Sequence, residues 1–176
     1  MKTLALCREL PGLPGQGDRP CQYSATGQGT HREGYVVEFI PNHGQPWVGN
    51  FQPGVTSLTD LAEFPHNNSV LVVANGQGYL IDVQSRTLLA QYESDIDFLF
   101  TRPAEEWVIT GSATDFSAFR GAAKLWCTRR ISWDGFRNLA VVANALTGDA
   151  WCFDDSWHAF SVDLKNGNVT GGSYCE

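Results

Sequence analysis

Residue types that bind ligands and partner proteins are concentrated in the last third of the chain. Tryptophan and arginine dominate binding hot spots because they combine a large apolar area with directed hydrogen-bond donors. Aspartate and histidine add charge and metal-ligating atoms. The candidate binding residues are Arg130, Trp133, Asp134, Asp154, Asp155, Trp157 and His158. Trp126 and Trp151 lie within strand-like segments, and we expect them to pack into the core.

Asp154, Asp155 and His158 are the residues with the clearest potential for metal chemistry, since carboxylate oxygens and imidazole can ligate a divalent cation. Closely spaced aspartates and serines are also typical of hairpin turns, where their side chains hydrogen-bond the local backbone. We adopt the hairpin interpretation. The sequence therefore predicts no metal site and no cofactor, and a metal-assisted hydrolase built on these three residues stays an alternative.

The sequence lacks the motifs that position a catalytic nucleophile or a phosphate group. Ser112 follows a glycine but has none of the flanking glycines at the spacing of a nucleophile elbow. Gly76-Gln77-Gly78 lacks the lysine and the following helix of a phosphate-binding loop, and Asn75-Gly76 instead predicts a hairpin turn. We therefore predict no catalytic residue and expect a protein that is not an enzyme.

The charge balance narrows the class of partner. The chain carries 19 acidic and 12 basic residues, for a formal net charge of −7. Nucleic-acid binding depends on a basic footprint that displaces counterions from phosphates, so we expect no nucleic-acid partner. An acidic protein suits a basic partner through complementary electrostatic fields.

We expect a cytoplasmic protein with no membrane partner. No apolar stretch approaches the roughly 20 residues that cross a bilayer, and the apolar run near Met1 is too short for an export signal. The odd number of cysteines and the absence of a CxxC pair favour reduced thiols. If the protein is exported, Cys7–Cys21 or Cys152–Cys175 pairs remain alternatives.

Composition predicts a single all-β domain over residues 1–176, mainly antiparallel. Aromatic residues make up 12% of the chain, and they favour pleated, half-buried strands. Eighteen glycines and eight prolines indicate many turns. We predict an irregular, Gly/Pro-rich N-terminal arm over 1–34, a strand and turn-rich segment over 35–54, and repeated β-meanders over 55–174.

A weak internal repeat supports the meanders. Val72–Asn75 recurs as Val141–Asn144, and Tyr79–Val83 resembles Phe160–Leu164. With a third, fainter copy beginning at Trp107, the units are spaced by roughly 30 to 40 residues, which is typical of blades or arrays. This spacing resembles β-propeller blades. Since closed propellers usually have about four to eight blades, we expect a partial propeller, a strongly curved meander of about three blade-like units, or a sandwich.

Two segments also resemble small uncharacterised bacterial proteins. They are Thr128-Arg129-Arg130-Ile131-Ser132-Trp133-Asp134-Gly135 and the ending W-x-x-F-x-V-D-L-x-x-G-x-V-x-G-G-x-Y over residues 157–174. The group has no assigned catalytic residues that the resemblance could transfer to this chain, and the resemblance implies an immunity-type or accessory partner of a secreted toxin.

The leading hypothesis is a non-enzymatic protein-binding module that binds and neutralises a partner protein such as a basic toxin domain. The acidic balance and the aromatic-rich last third of the chain motivate it. A carbohydrate- or small-ligand-binding module using Trp133, Trp157 and Asp154 is the first alternative, since tryptophan platforms beside acidic acceptors suit a sugar.

Overall fold

The computed structural model describes residues 1–27 and 32–174 and is built almost entirely from β-strands. Strands account for 48% of the chain and helix for 4%, which confirms the predicted all-β class. The strands form four mostly antiparallel sheets of four strands each, and one pair of strands in the first sheet is parallel. The described residues contain no helix of the length and apolarity needed to cross a membrane.

The chain divides into two compact units. The first comprises the described residues of Met1–Ile96 together with Arg102–Glu106, and the second comprises Asp97–Thr101 and the described residues from Trp107 onward. Each unit contains two of the four sheets. One domain over 1–176 stays a prediction.

The first unit contains two sheets of different topology. Sheet 1 has the order β1 (Cys7–Glu9), β3 (Tyr35–Phe39), β4 (Trp47–Phe51), β2 (Cys21–Tyr23), and β2 runs parallel to β4. Sheet 2 is an antiparallel meander of β5 (Asp60–Phe64), β6 (Ser69–Ala74), β7 (Gln77–Asp82) and β8 (Leu88–Gln91), with a short 3-10 helix at Pro65–Asn67 between its first two strands.

The N-terminal stretch 1–34, expected to be an irregular arm, supplies two short strands to sheet 1. β1 and β2 have three residues each, and they occupy the two edges of that sheet. Residues 28–31 of the stretch lie outside the described part of the chain. Short edge strands of this kind limit unwanted pairing with other chains.

Aromatic side chains fill the core of the first unit. Phe39 and Trp47 stack at 4.2 Å between ring centroids, and Tyr23 and Phe51 stack at 4.7 Å. All six residues of β6 are buried, including the apolar run from Val70 to Ala74. A strand reads as a continuous apolar run when both of its faces are covered, which is why β6 lacks the alternation of a half-exposed strand.

The second unit contains two antiparallel meanders. Sheet 3 consists of β9 (Phe98–Arg102), β10 (Trp107–Gly111), β11 (Phe116–Arg120) and β12 (Ala123–Cys127). Sheet 4 consists of β13 (Phe136–Val142), β14 (Ala145–Trp151), β15 (Trp157–Asp163) and β16 (Val169–Gly171). The core of this unit includes Ile109, Phe116, Ile131, Leu146, Phe160 and Val162. A second 3-10 helix, Pro103–Glu105, lies between β9 and β10 in sequence and belongs to the first unit.

The internal repeat of the sequence has a structural counterpart in the third strands of sheets 2 and 4. Both β7 and β15 end at an aspartate, Asp82 or Asp163, whose carboxylate accepts hydrogen bonds from the following turn. The copies Val72–Asn75 and Val141–Asn144 do not correspond, because the first ends the second strand of its sheet and the second ends the first strand. Local sequence similarity alone therefore misaligned one of the two predicted matches.

Candidate binding surface

The loop between β12 and β13 presents Trp133, and a buried serine shapes that loop. The hydroxyl of Ser132 donates a hydrogen bond of 2.6 Å to the carbonyl oxygen of Gly135 and accepts one of 3.1 Å from the backbone N–H of Trp151. Gly135 has a φ of 104°, a conformation that glycine adopts without strain. The backbone N–H of Trp133 also donates to the carbonyl oxygen of Trp151 at 3.1 Å. Trp133 is thus fixed to the end of β14.

Three aromatic rings and one guanidinium group meet at this loop. The ring of Trp133 contacts Phe153 edge-to-face at 5.4 Å and Tyr174 at 4.8 Å between centroids. The guanidinium carbon of Arg130 lies 5.5 Å from the centroid of Trp133 and 4.8 Å from that of Tyr174. We call Arg130, Trp133, Phe153 and Tyr174 the aromatic patch. Trp133 and Tyr174 are half-buried, whereas Phe153 keeps 70% of its surface exposed.

Two arginines hold the patch in one conformation. Arg130 donates through Nε to the carbonyl oxygen of Ser132 at 3.0 Å and through a terminal nitrogen to that of Trp133 at 2.7 Å. Arg129 donates to the carbonyl oxygens of Gly171 and Tyr174, both at 3.0 Å. Because these donors bind backbone carbonyls, both guanidinium groups act first as supports of the loop and of the segment after β16.

Carboxylates flank the patch in sequence. Asp134 follows Trp133, and Asp154 and Asp155 follow Phe153; all three are exposed. Of the predicted residues, the structure brings Arg130 and Trp133 together in the patch, whereas Asp134, Asp154 and Asp155 are exposed neighbours of patch residues in sequence. Phe153 and Tyr174 were missed in the sequence, although the position of Phe153 beside two turn aspartates indicated an exposed aromatic ring.

Asp154 and Asp155 lie in the tight turn between β14 and β15, as the hairpin interpretation predicts. The backbone N–H of Asp155 donates to the carbonyl oxygen of Cys152 at 3.0 Å, and the N–H of Cys152 donates to Ser156 at 2.9 Å. Asp155 has a φ of 62°, which is the left-handed residue that closes a three-residue hairpin loop. Phe153 is the first residue of this turn and is exposed.

A hydrogen-bonded row of Asp154, Ser156 and His158 crosses this hairpin. The Ser156 hydroxyl donates to a carboxylate oxygen of Asp154 at 2.5 Å and lies 2.8 Å from Nε2 of His158. The hydrogen bonds from Ser156 hold the pKa of the exposed Asp154 carboxyl below its usual value. Because an ionised carboxylate only accepts, the serine proton is committed to Asp154 and Nε2 of His158 must be the donor.

This arrangement is the reverse of a nucleophile and its base. A catalytic serine gives its proton to an imidazole that a carboxylate orients from the other ring nitrogen. Here the hydroxyl of Ser156 donates to the carboxylate of Asp154, so it has no second proton to give to His158. The row fits a stabilised turn better than a hydrolytic dyad.

Trp157, the remaining candidate, belongs to a different cluster on sheet 4. The guanidinium carbon of Arg137 lies 4.4 Å from its ring centroid, and Arg137 also forms a 3.2 Å ion pair with Asp149. The amide of Asn138 donates to Asp149 at 2.8 Å, and this bond, with Arg137, lowers the pKa of the Asp149 carboxyl. Arg137 therefore covers the half-buried ring of Trp157.

An open cleft of about 550 Å³ lies elsewhere on sheet 4. Five of its eight lining residues are of polar type, and the lining consists of Val142, Ala143, Asn144, Ala145, Ser161, Asp163, Asn168 and Thr170. No family model and no curated protein matches the sequence. The aromatic patch and this cleft are therefore the two candidate binding surfaces.

Proposed function

We propose that this protein is a non-enzymatic protein-binding module that binds a basic partner protein through the aromatic patch. The observation that carries the proposal is the exposure of Phe153, 70% of whose surface faces solvent beside Trp133 and Tyr174. A soluble protein rarely exposes an aromatic cluster without use, and these residue types supply most of the energy at interfaces.

Charge complementarity selects the class of partner. Asp134, Asp154 and Asp155 surround the patch in sequence and add carboxylates to a chain whose net charge is −7. The two nearby arginines are engaged with backbone carbonyls. A partner with lysine or arginine side chains around an apolar contact would meet aromatic rings at the centre and carboxylates at the rim, the arrangement of ordinary interfaces.

The fixed conformation of the patch favours tight binding. The hydrogen bonds of Arg129, Arg130 and Ser132 order the loop and the segment at Tyr174 before any partner arrives. Ordering an interface side chain on binding costs about 0.5–1.5 kcal/mol, so residues that are already ordered avoid that cost. Phe153 at the tip of its hairpin can enter a pocket of the partner.

We propose that its biological role is that of an immunity-type protein of bacteria, which neutralises a basic toxin domain in the cytoplasm. We also propose that each four-stranded meander is one blade-like unit of a propeller-like fold. The direction of the Ser156–Asp154 bond supports a protein without hydrolytic chemistry at this surface.

The proposal predicts that a gene beside this one encodes the basic partner, and co-expression with the product of that gene tests it. We expect the pair to co-purify in equal stoichiometry, and Trp133→Ala together with Phe153→Ala to abolish co-purification while the far-UV circular dichroism is unchanged. Leu125→Ser, at a residue that is 45% exposed on the same unit, is the matched control and should leave the pair intact. A double variant that still co-purifies would overturn the proposal.

A second candidate function rests on the cleft of sheet 4. Its amide, carboxylate and hydroxyl groups suit a sugar or another small polar ligand. A glycan array separates the two functions, because a glycan hit lost in Asn144→Ala and kept in Phe153→Ala would favour the cleft.

A further inference from the structure

The hairpin that presents Phe153 also brings three metal-ligating side chains together. The thiol sulfur of Cys152, a carboxylate oxygen of Asp154 and a ring nitrogen of His158 all lie within 4.8 Å of one another. Cys152 is buried, and the other two are exposed. Thiolate, imidazole and carboxylate are the three kinds of ligand that proteins use for zinc.

The geometry of the hairpin accounts for this convergence. Cys152 precedes the three-residue turn and Asp154 lies within it, while His158 is the second residue of β15 and pairs with Ala150 of β14. Alternate residues of a strand share a face, so His158 lies on the same face of sheet 4 as Phe160 and as its pairing partner Ala150. Asp155, the neighbouring carboxylate, does not belong to the cluster.

The donor set determines which metal fits. A sulfur ligand disfavours calcium and magnesium, which prefer oxygen, whereas one sulfur, one nitrogen and one oxygen suit a tetrahedral zinc ion. In such a site the ligand atoms are about 3.5 Å apart, so the three side chains would close by about 1 Å.

The hydroxyl of Ser156 can orient the site from outside. Its bond to Asp154 leaves the second carboxylate oxygen for the metal, and hydrogen bonds of this kind fix the direction of metal ligands. Ligation through Nε2 of His158 would replace the present 2.8 Å contact with Ser156, whereas ligation through the other ring nitrogen would keep it.

We propose that Cys152, Asp154 and His158 bind one zinc ion, with a water molecule as the fourth ligand. On binding, the thiol of Cys152 releases its proton to solvent and the thiolate coordinates the metal. Phe153 lies between two of the ligands, so zinc would fix the tip of the hairpin. This last consequence rests on the proposed function; zinc binding itself does not.

Cobalt titration of the full-length, tag-free protein under reducing conditions tests the site. Cobalt replaces zinc in such sites, and a thiolate ligand gives an intense near-ultraviolet charge-transfer band. We expect one equivalent of cobalt to produce the band and one equivalent of zinc to remove it. Cys152→Ser should abolish the band, and His158→Gln should weaken cobalt affinity at least tenfold, since a ligand or its support is typically worth about 10–100-fold.

Two neighbouring substitutions serve as controls. Cys127→Ser removes an exposed thiol of the same unit, and Asp155→Asn removes the adjacent carboxylate of the same turn. Both should retain the band. No band in the wild type, a band that survives Cys152→Ser, or one lost in Cys127→Ser would overturn the proposal. His158 is exposed, so His158→Gln keeps the test informative should Cys152→Ser fail to fold; cobalt affinity that is unchanged in this variant would also contradict it.

Discussion

Trp126 donates its indole N–H to the carbonyl oxygen of Leu164 at 3.0 Å, and this bond joins β12 to the end of β15. Trp47 makes the equivalent bond of 2.9 Å in the other unit, from β4 to the carbonyl oxygen of Val83 after β7. In each unit, the indole N–H of a tryptophan in one sheet thus donates to the carbonyl oxygen of the residue that follows the third strand of the other sheet. The N–H of a buried or half-buried indole needs an acceptor, so these two bonds show the same way of joining two sheets in both units.

Gly167→Ala should destabilise the second unit through Trp126. Gly167 has a φ of 76°, and a Cβ there would lie 2.9 Å from the Trp126 ring. The left-handed conformation costs an alanine about 1–2 kcal/mol, and displacement of the ring adds to this. Gly27→Ala is the control, since its φ is 67° with nothing within 4 Å. Chemical denaturation of both variants measures the difference, and equal losses of stability would show that Trp126 does not constrain this position.

Ser132→Ala should lower the free energy of unfolding by about 0.5–1.5 kcal/mol, because it removes the hydroxyl's bonds to Gly135 and Trp151, while the N–H of Trp151 keeps its 3.2 Å bond to the carbonyl oxygen of Gly135. The tryptophan fluorescence should also shift as the Trp133 loop loosens. Ser85→Ala, on an exposed turn, should have a smaller effect. If Ser132→Ala matches Ser85→Ala in urea denaturation, Ser132 does not support the loop.

The cysteines should differ strongly in reactivity toward alkylating reagents. Cys127 is exposed, whereas Cys7 is fully buried, and burial beside Glu63 raises the pKa of the Cys7 thiol to about 12. Cys7, Cys21, Cys127 and Cys152 are free thiols, and Cys175 lies outside the described residues. Mass spectrometry after timed iodoacetamide treatment should find Cys127 modified first and Cys7 last. Early modification of Cys7 in folded protein would contradict its burial.

The raised pKa of Cys7 also predicts a loss of stability at alkaline pH. The unfolded chain releases the thiol proton near the ordinary value of 9.0, and the folded chain holds it up to about 12. The folded state therefore binds more protons between these values, so its stability is full below pH 9.0 and falls as pH rises through this range.

Cys7→Ala measures this contribution. Urea denaturation at several pH values should show the variant losing less stability per pH unit than the wild type, by up to about 1.4 kcal/mol for one proton. Parallel pH profiles for the two proteins would mean that Cys7 does not titrate differently on unfolding.

Local sequence patterns predicted the class of fold and several turns. Asn75-Gly76 forms the predicted hairpin turn, with φ values of 47° and 90° that only a few residue types adopt easily. Aspartates after Phe153 likewise indicated a turn, since their side chains bond nearby backbone groups. These features depend on neighbours in sequence, which the sequence displays directly.

Contacts between residues far apart in sequence could not be predicted from such local patterns. The parallel pairing of β2 with β4 joins Cys21–Tyr23 to a strand more than twenty residues away. Tyr174 reaches Trp133 through the hydrogen bonds of Arg129 and Ile131. The cluster of Cys152 with His158 depends on hairpin register, and a one-residue change in register would have placed His158 on the other face. Spacing along the chain therefore grouped Asp155, and not Cys152, with Asp154 and His158 as possible metal ligands.

The affinity for the proposed basic partner, measured by titration calorimetry with the protein that co-purifies, tests the central claim most directly. Phe153→Ala should raise Kd about 30-fold or more, as loss of a hot spot of about 2 kcal/mol does, while Leu125→Ala leaves it unchanged. Added salt should weaken the complex, because the acidic rim contributes to it. A Kd that is insensitive to Phe153→Ala would contradict the account.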